Sequence, residues 1–215
     1  MPQKYPDQAV LAEVYLALGD FYYFKARQIE NAMLAYKNSI EQTGIEEPIL
    51  ARGMSSLIRC YFELRLWNQA LQLSQSYIEK FPLAENAFDI RIQIGTIYSN
   101  LHEYDRAIAY LRTLKPEADR ESEPRIQYWI GDCYMEKGQF EKAIAEYLKV
   151  KYISKPSKLN WAVTAQYKSG IAYMKLGQLA EAKNLFEKIV VEQGAESPFG
   201  RGAKEKINEI EKLMN

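Results

Sequence analysis

Histidine and cysteine are the side chains to weigh first for chemistry, because they supply most general bases, thiol nucleophiles and metal ligands. This chain has one histidine, His102, and two cysteines, Cys60 and Cys133. One imidazole excludes His-based triads and multi-histidine metal sites by count. There is no glycine-rich phosphate loop and no Cys-x-x-Cys pair. Aspartates and glutamates are plentiful, but they stand beside lysines and arginines, as on a solvated face, and not as isolated general acids with raised pKa values. The expectation is therefore a protein without catalysis, metal or cofactor.

Binding chemistry remains, and its character follows from the charge balance. Lys+Arg and Asp+Glu both number 28, a net charge of zero. A nucleic-acid binder normally carries a concentrated basic face, so that class of partner is disfavoured. No apolar run reaches the roughly 20 residues needed to span a bilayer, and no signal peptide opens the chain. The opening Tyr5-Pro6 matches Phe81-Pro82, which closes a later repeat, and so reads as the tail of a preceding one. On that reading the chain is a piece of a longer protein.

The elements that must position any binding residues come from internal repetition. A tyrosine column runs Tyr22, Tyr61, Tyr98, Tyr134 and Tyr173, in steps of 39, 37, 36 and 39. An alanine column, Ala32, Ala70, Ala107, Ala143 and Ala182, follows the tyrosine by nine residues in four repeats and by ten in the first. Three before the tyrosine stand Gly19, Gly95, Gly131 and Gly170, with Ile58 as the exception. Four after the alanine come Tyr36, Leu111, Tyr147 and Phe186, with Ser74 as the exception. Such columns describe pairs of antiparallel helices. Glycine and alanine are expected where the two helix backbones approach closely, with the aromatics filling the space between neighbouring pairs. Cys60 and Cys133 each precede a column tyrosine. They should be buried in first helices two repeats apart, too distant for a disulfide.

This pattern resembles the tetratricopeptide repeat over nearly the whole chain, although its steps exceed the usual period of about 34 residues. The resemblance implies an all-α fold: a right-handed superhelical solenoid of five antiparallel helix pairs with a C-terminal capping helix. The repeats are expected at 8–44, 48–82, 83–116, 124–155 and 160–194, as one domain. Gly44 and Gly194 stand as helix C-caps, and Pro48 suits a first turn. Lys155–Lys158 reads as the clearest break. Ser197-Pro198 opens the cap at 198–214, whose Ala203, Ile207, Ile210 and Met214 share one face. A membrane- or partner-binding amphipathic helix is the alternative reading there, disfavoured by its mixed charges.

Arrays of this family wind so that first helices line a concave groove. The positions nine, six and two before the column tyrosine, and one after it, form the facing stripe. The partner-binding candidates on it are Tyr23, Arg52, Arg59, Phe62, Arg125, Tyr128, Asp132, Met135, Tyr167, Ile171 and Met174. Tyr128, Met135, Tyr167 and Met174 are expected side by side as one apolar strip, bordered by Arg125 and Asp132. The Lys, Asn and Arg set with which chaperone-adaptor relatives grip a terminal carboxylate is absent from the corresponding places.

Two functions fit. One is a scaffold holding a peptide or helix of another protein in the groove. The other is a structural part that stacks with copies of itself, as a homo-oligomer, or with flanking repeats. The long period and the proline-led helix starts resemble bacterial cell-envelope proteins, which sets the envelope slightly ahead of the cytoplasm as an expected location.

Overall fold

The computed structural model describes residues 8–153 and 160–214. Among them are eleven α-helices and no strand. The segments Met1–Asp7 and Lys155–Lys158, on which two of the sequence readings fall, lie outside the described residues. The chain divides into two compact units at Asn100/Leu101, so the third repeat contributes one helix to each.

The first unit holds α1 (Gln8–Asp20), α2 (Ile29–Ile40), α3 (Glu47–Glu63), α4 (Trp67–Lys80) and α5 (Ala87–Asn100). The second holds α6 (Tyr104–Leu114), α7 (Ser122–Glu136), α8 (Phe140–Ile153), α9 (Trp161–Lys175), α10 (Leu179–Gln193) and α11 (Pro198–Met214). Each α-helix packs on its neighbour in sequence within its unit. α5 begins four residues later than the expected start at residue 83. Phe81 turns its ring into the core beside Tyr77 and Ile90, and the chain needs the tight bonds Ala84 N–H to Phe81 O (3.2 Å) and Ala87 N–H to Ala84 O (2.9 Å) to redirect itself.

The turn inside each pair has one recipe. The residue two before the second helix takes a left-handed conformation: Arg27 (φ 56°), Arg65 (φ 56°), His102 (φ 62°), Gly138 (φ 71°) and Gly177 (φ 73°). The carbonyl of the column tyrosine accepts the next residue's N–H, from Leu66 (2.8 Å), Gln139 (2.9 Å) and Gln178 (3.0 Å). This is how a helix end satisfies its orphan carbonyls. In the first repeat α1 runs on into a π-helical turn, Phe21–Ala26. That turn takes up the one extra residue between Tyr22 and Ala32, and Gln28 N–H still reaches Tyr22 O at 3.0 Å.

All five column alanines are fully buried, as their spacing predicts. The glycine column has a different neighbour from the expected one. A Cβ on Gly19 would lie 2.5 Å from the ring of Tyr36, one on Gly131 2.7 Å from Tyr147, and one on Gly170 2.6 Å from Phe186. The glycine makes room for the aromatic four places after the alanine, and not for a second backbone.

The C-terminal helix caps as expected. Ser197 Oγ accepts the Gly200 N–H at 2.9 Å, and Ala203 and Ile210 are fully buried against α9 and α10. Ile207 packs beside them, whereas Met214 runs past the covered face and stays exposed.

Candidate functional site

The first helices of the first unit enclose a recess of about 480 Å³, lined among others by Asp20, Phe24, Arg52, Ser55, Arg59 and Gln93. α1 and its π turn, α3 and α5 each supply part of the wall. A second recess of about 420 Å³ shares Arg52, Ser55, Asn86 and Asp89 and continues along α3 and α5 past Tyr77 and Glu85. Asp20, Arg52, Ser55, Arg59 and Asp89 of its lining belong to the stripe read from the sequence, whereas Phe24, Ser56, Asn86, Ile90 and Gln93 do not.

Arg59 is the side chain that gives the recess a chemical character. Its guanidinium carbon sits 4.4 Å from the centroid of Tyr23 and 5.1 Å from that of Phe24. Two consecutive rings thus form a platform for one cation. Arg59 Nη2 makes one long bond to Ser56 Oγ, 3.4 Å, and Nε is buried without a hydrogen-bond partner among the described residues. Tyr23 is itself held in place by donating its hydroxyl hydrogen to Glu63 Oε1. Its phenol is pushed up to about 12, first by burial and then by that carboxylate. It is a neutral hydrogen-bond donor at any physiological pH.

Asp20 on the same wall is already occupied by its own chain. Tyr36 donates to Asp20 Oδ1 at 2.8 Å, and Arg52 pairs with Asp20 Oδ2. The fourth repeat repeats this arrangement: Tyr147 donates to Asp132 Oδ1 at 3.0 Å, and Lys168 reaches the same oxygen at 3.0 Å. In both places a first-helix aspartate ties its own second helix to the next repeat. Burial, reinforced by the aspartate, raises the hydroxyls of Tyr36 and Tyr147 above the ordinary tyrosine range. Asp132 therefore serves as an internal tie within the second unit.

The apolar strip expected across the fourth and fifth repeats is divided between two cores. Tyr128 keeps only 6% of its surface and lies among Trp129, Tyr147 and Trp161, at ring-centroid distances of 5.2, 5.6 and 5.3 Å. Met135 packs against that cluster. Tyr167, Ile171 and Met174 instead pack on the cluster built by Phe186, Ile189, Ala203 and Ile210. The ring of Tyr167 stands 5.2 Å from that of Phe186, and its hydroxyl donates to Gly202 O at 3.5 Å, so α11 covers it. Hydrogen bonds from Ser122, and to a smaller extent the charge of Arg125, hold the Asp119 carboxyl below its ordinary range. Phe62 sits edge-on to Trp67 at 5.0 Å and closes the turn of the second pair. Sequence reasoning missed Phe24, Ser56, Asn86, Ile90 and Gln93 as wall residues. Phe24 enters because the π turn changes the phase of the helix, a signal present only as the ten-residue step.

No cluster of metal-ligating side chains occurs among the described residues. Cys60 and Cys133 are buried, are not joined by a disulfide, and lie in different units. Burial pushes the Cys60 thiol up to about 12, which leaves it unreactive. No helix among the described residues is long and apolar enough to cross a membrane.

With the geometry in hand, the chain can be placed among known proteins. Residues 92–157 and 164–192 match the tetratricopeptide repeat family. No curated protein matches the chain. Many solved structures do. A tetratricopeptide repeat protein of Parabacteroides merdae ATCC 43184 is 15% identical over 95% of this chain and 74% of its own, with a TM-score of 0.69. MamA of Desulfovibrio magneticus RS-1 is 16% identical over 86% and 97%, with a TM-score of 0.65. YrrB, described as a repeat protein with an unusual peptide-binding site, is 17% identical over 90% and 92%, with a TM-score of 0.55. At these identities the likeness is one of fold.

Proposed function

We propose that this chain, a tetratricopeptide repeat protein, is a binding scaffold that holds a peptide or helix of a partner protein against the first helices of its first three repeats. Proteins of this fold generally act as scaffolds for protein–protein interaction and not as enzymes. The observation that carries the finer reading is Arg59. A guanidinium fixed on two aromatic rings, with a buried N–H still unsatisfied, faces a recess large enough for a side chain or a short backbone segment. Leaving such a donor unpaired costs about 1–3 kcal/mol, and an acceptor brought by a partner would recover it. Arginine and aromatic residues are also the types that concentrate binding energy at interfaces. The peptide-binding site named for YrrB supports the same use of the fold.

The test is affinity capture with the wild-type chain and with Arg59→Glu, followed by mass spectrometry. A partner retained by the wild type and lost by a variant with unchanged helical signal and melting supports the reading. Equal capture by both would move the site away from this recess.

A further inference from the structure

We infer that the group this recess accepts is a carboxylate, carried by an aspartate or glutamate side chain of the partner segment and received by Arg59 together with Asn86. This rests on the scaffold reading above and goes further by naming the chemistry of what the site takes.

The oxygens of the lining are largely spent on the chain's own donors. Tyr36 and Arg52 occupy the two oxygens of Asp20. Tyr77 donates its hydroxyl hydrogen to Asn86 Oδ1 at 2.6 Å. Asp89 is not free either. Outside the lining, Glu63 takes the hydroxyl hydrogen of Tyr23.

The N–H groups are in the opposite state. A guanidinium carries five of them. Among the described residues Arg59 uses one, in the 3.4 Å bond from Nη2 to Ser56 Oγ, and its Nε is buried without a partner. Tyr23 and Phe24 hold the cation by their rings, which takes up none of these N–H groups. Asn86, with its oxygen committed to Tyr77, has its NH2 group left to give.

A wall with donors to spare and few uncommitted oxygens fits a group that only accepts. A planar cationic fork beside an amide NH2 suits the two oxygens of a carboxylate, and such charge-assisted bonds are roughly twice as strong as neutral ones. A neutral amide would bring donors of its own to a site short of acceptors for them. The other source of a carboxylate is a chain terminus. The recess, however, runs on from Arg59 along α3 and α5 past Arg52 to Tyr77 and Glu85, so a segment lies along it and its side chains are what reach Arg59.

The test is nuclear magnetic resonance of the Arg59 side-chain Nε–H, titrated with three short peptides on one alanine-leucine frame. The first is blocked at both ends with a central glutamate. The second has glutamine in its place, and the third has glutamine and a free C-terminal carboxylate. The glutamate peptide should shift the signal saturably and bind about tenfold more tightly than the blocked glutamine peptide. Asn86→Asp keeps an acceptor for Tyr77 but exchanges the NH2 group for a negative charge. It should remove most of that preference, with helical signal and melting unchanged. Arg59→Lys, which keeps the charge without the fork, should weaken the glutamate peptide in the same direction, read from backbone signals of α3. Equal affinity for the two blocked peptides, or no saturable shift with the glutamate one, overturns the carboxylate. Tighter binding of the third peptide than of the first overturns the side-chain source. Loss of a captured partner in Arg59→Glu would stand in either case, so this inference and the scaffold reading fail separately.

Discussion

The α-carbon of Gly131 lies so close to the ring of Tyr147 that a methyl group there would sit 2.7 Å from Cδ1. Both residues are held by more than each other: Tyr147 is anchored through Asp132, so its ring cannot swing aside cheaply. Gly131→Leu should therefore destabilise by about 1–3 kcal/mol, the usual cost of overpacking. Adding Tyr147→Ser should return part of that loss, since contacting residues are non-additive. The second repeat holds this exchange naturally, with Ile58 at the glycine place and Ser74 at the aromatic place. Thermal melts of the two single variants and the double one decide it, and additive losses would dissociate the two positions.

Ser74 carries a residue of that exchange. Its hydroxyl is fully buried and has no hydrogen-bond partner among the described residues. Ser74→Ala removes an unsatisfied group with little loss of volume. It should raise stability by about 1 kcal/mol, seen as a higher denaturant midpoint at constant slope.

The left-handed turn residues give a second stability test. Gly138 sits at φ 71° in the place that Arg65 fills at φ 56°. Gly138→Arg should cost about 1 kcal/mol, because a side chain in this region is strained by that order. An unchanged melting temperature would mean that the turn relaxes to accept the side chain.

Acid should loosen the start of α7. Asp119 Oδ1 accepts the N–H groups of Ser122 at 2.7 Å and Glu121 at 3.1 Å, and these bonds hold its carboxyl below its ordinary value of 3.8. A folded-state pKa depressed below the unfolded one gives stability that is complete above 3.8 and lost as pH falls through the folded value. Asp119→Asn keeps an acceptor for the helix start but not the titration. Its stability should fall less steeply over that acid range than the wild type's in parallel urea melts.

How far the sequence speaks depends on what sets each position. The tyrosine and alanine columns are read correctly because the repeat contacts are local and recur, so their spacing carries the geometry. Tyr128 and Tyr167 show the limit. Helical phase says which side of α7 or α9 each occupies, but not that Trp129 and Trp161 crowd round the first or that α11 covers the second. Arg59 was visible as a stripe residue. Its platform was not, because Tyr23 and Phe24 are adjacent in sequence and face one cation only where the helix departs from regular winding.

That departure has a consequence for how the chain tolerates change in length. One residue added to a regular α-helix turns everything beyond it by about 100°, which would carry Ala32 and Tyr36 out of their sockets. In the first repeat the added residue is absorbed within a single wide turn, and Ala32 and Tyr36 are both fully buried in register. A length change is thus converted into a local widening beside the recess. The repeat can gain a residue there without renegotiating its core, and what it gains is a second ring under Arg59.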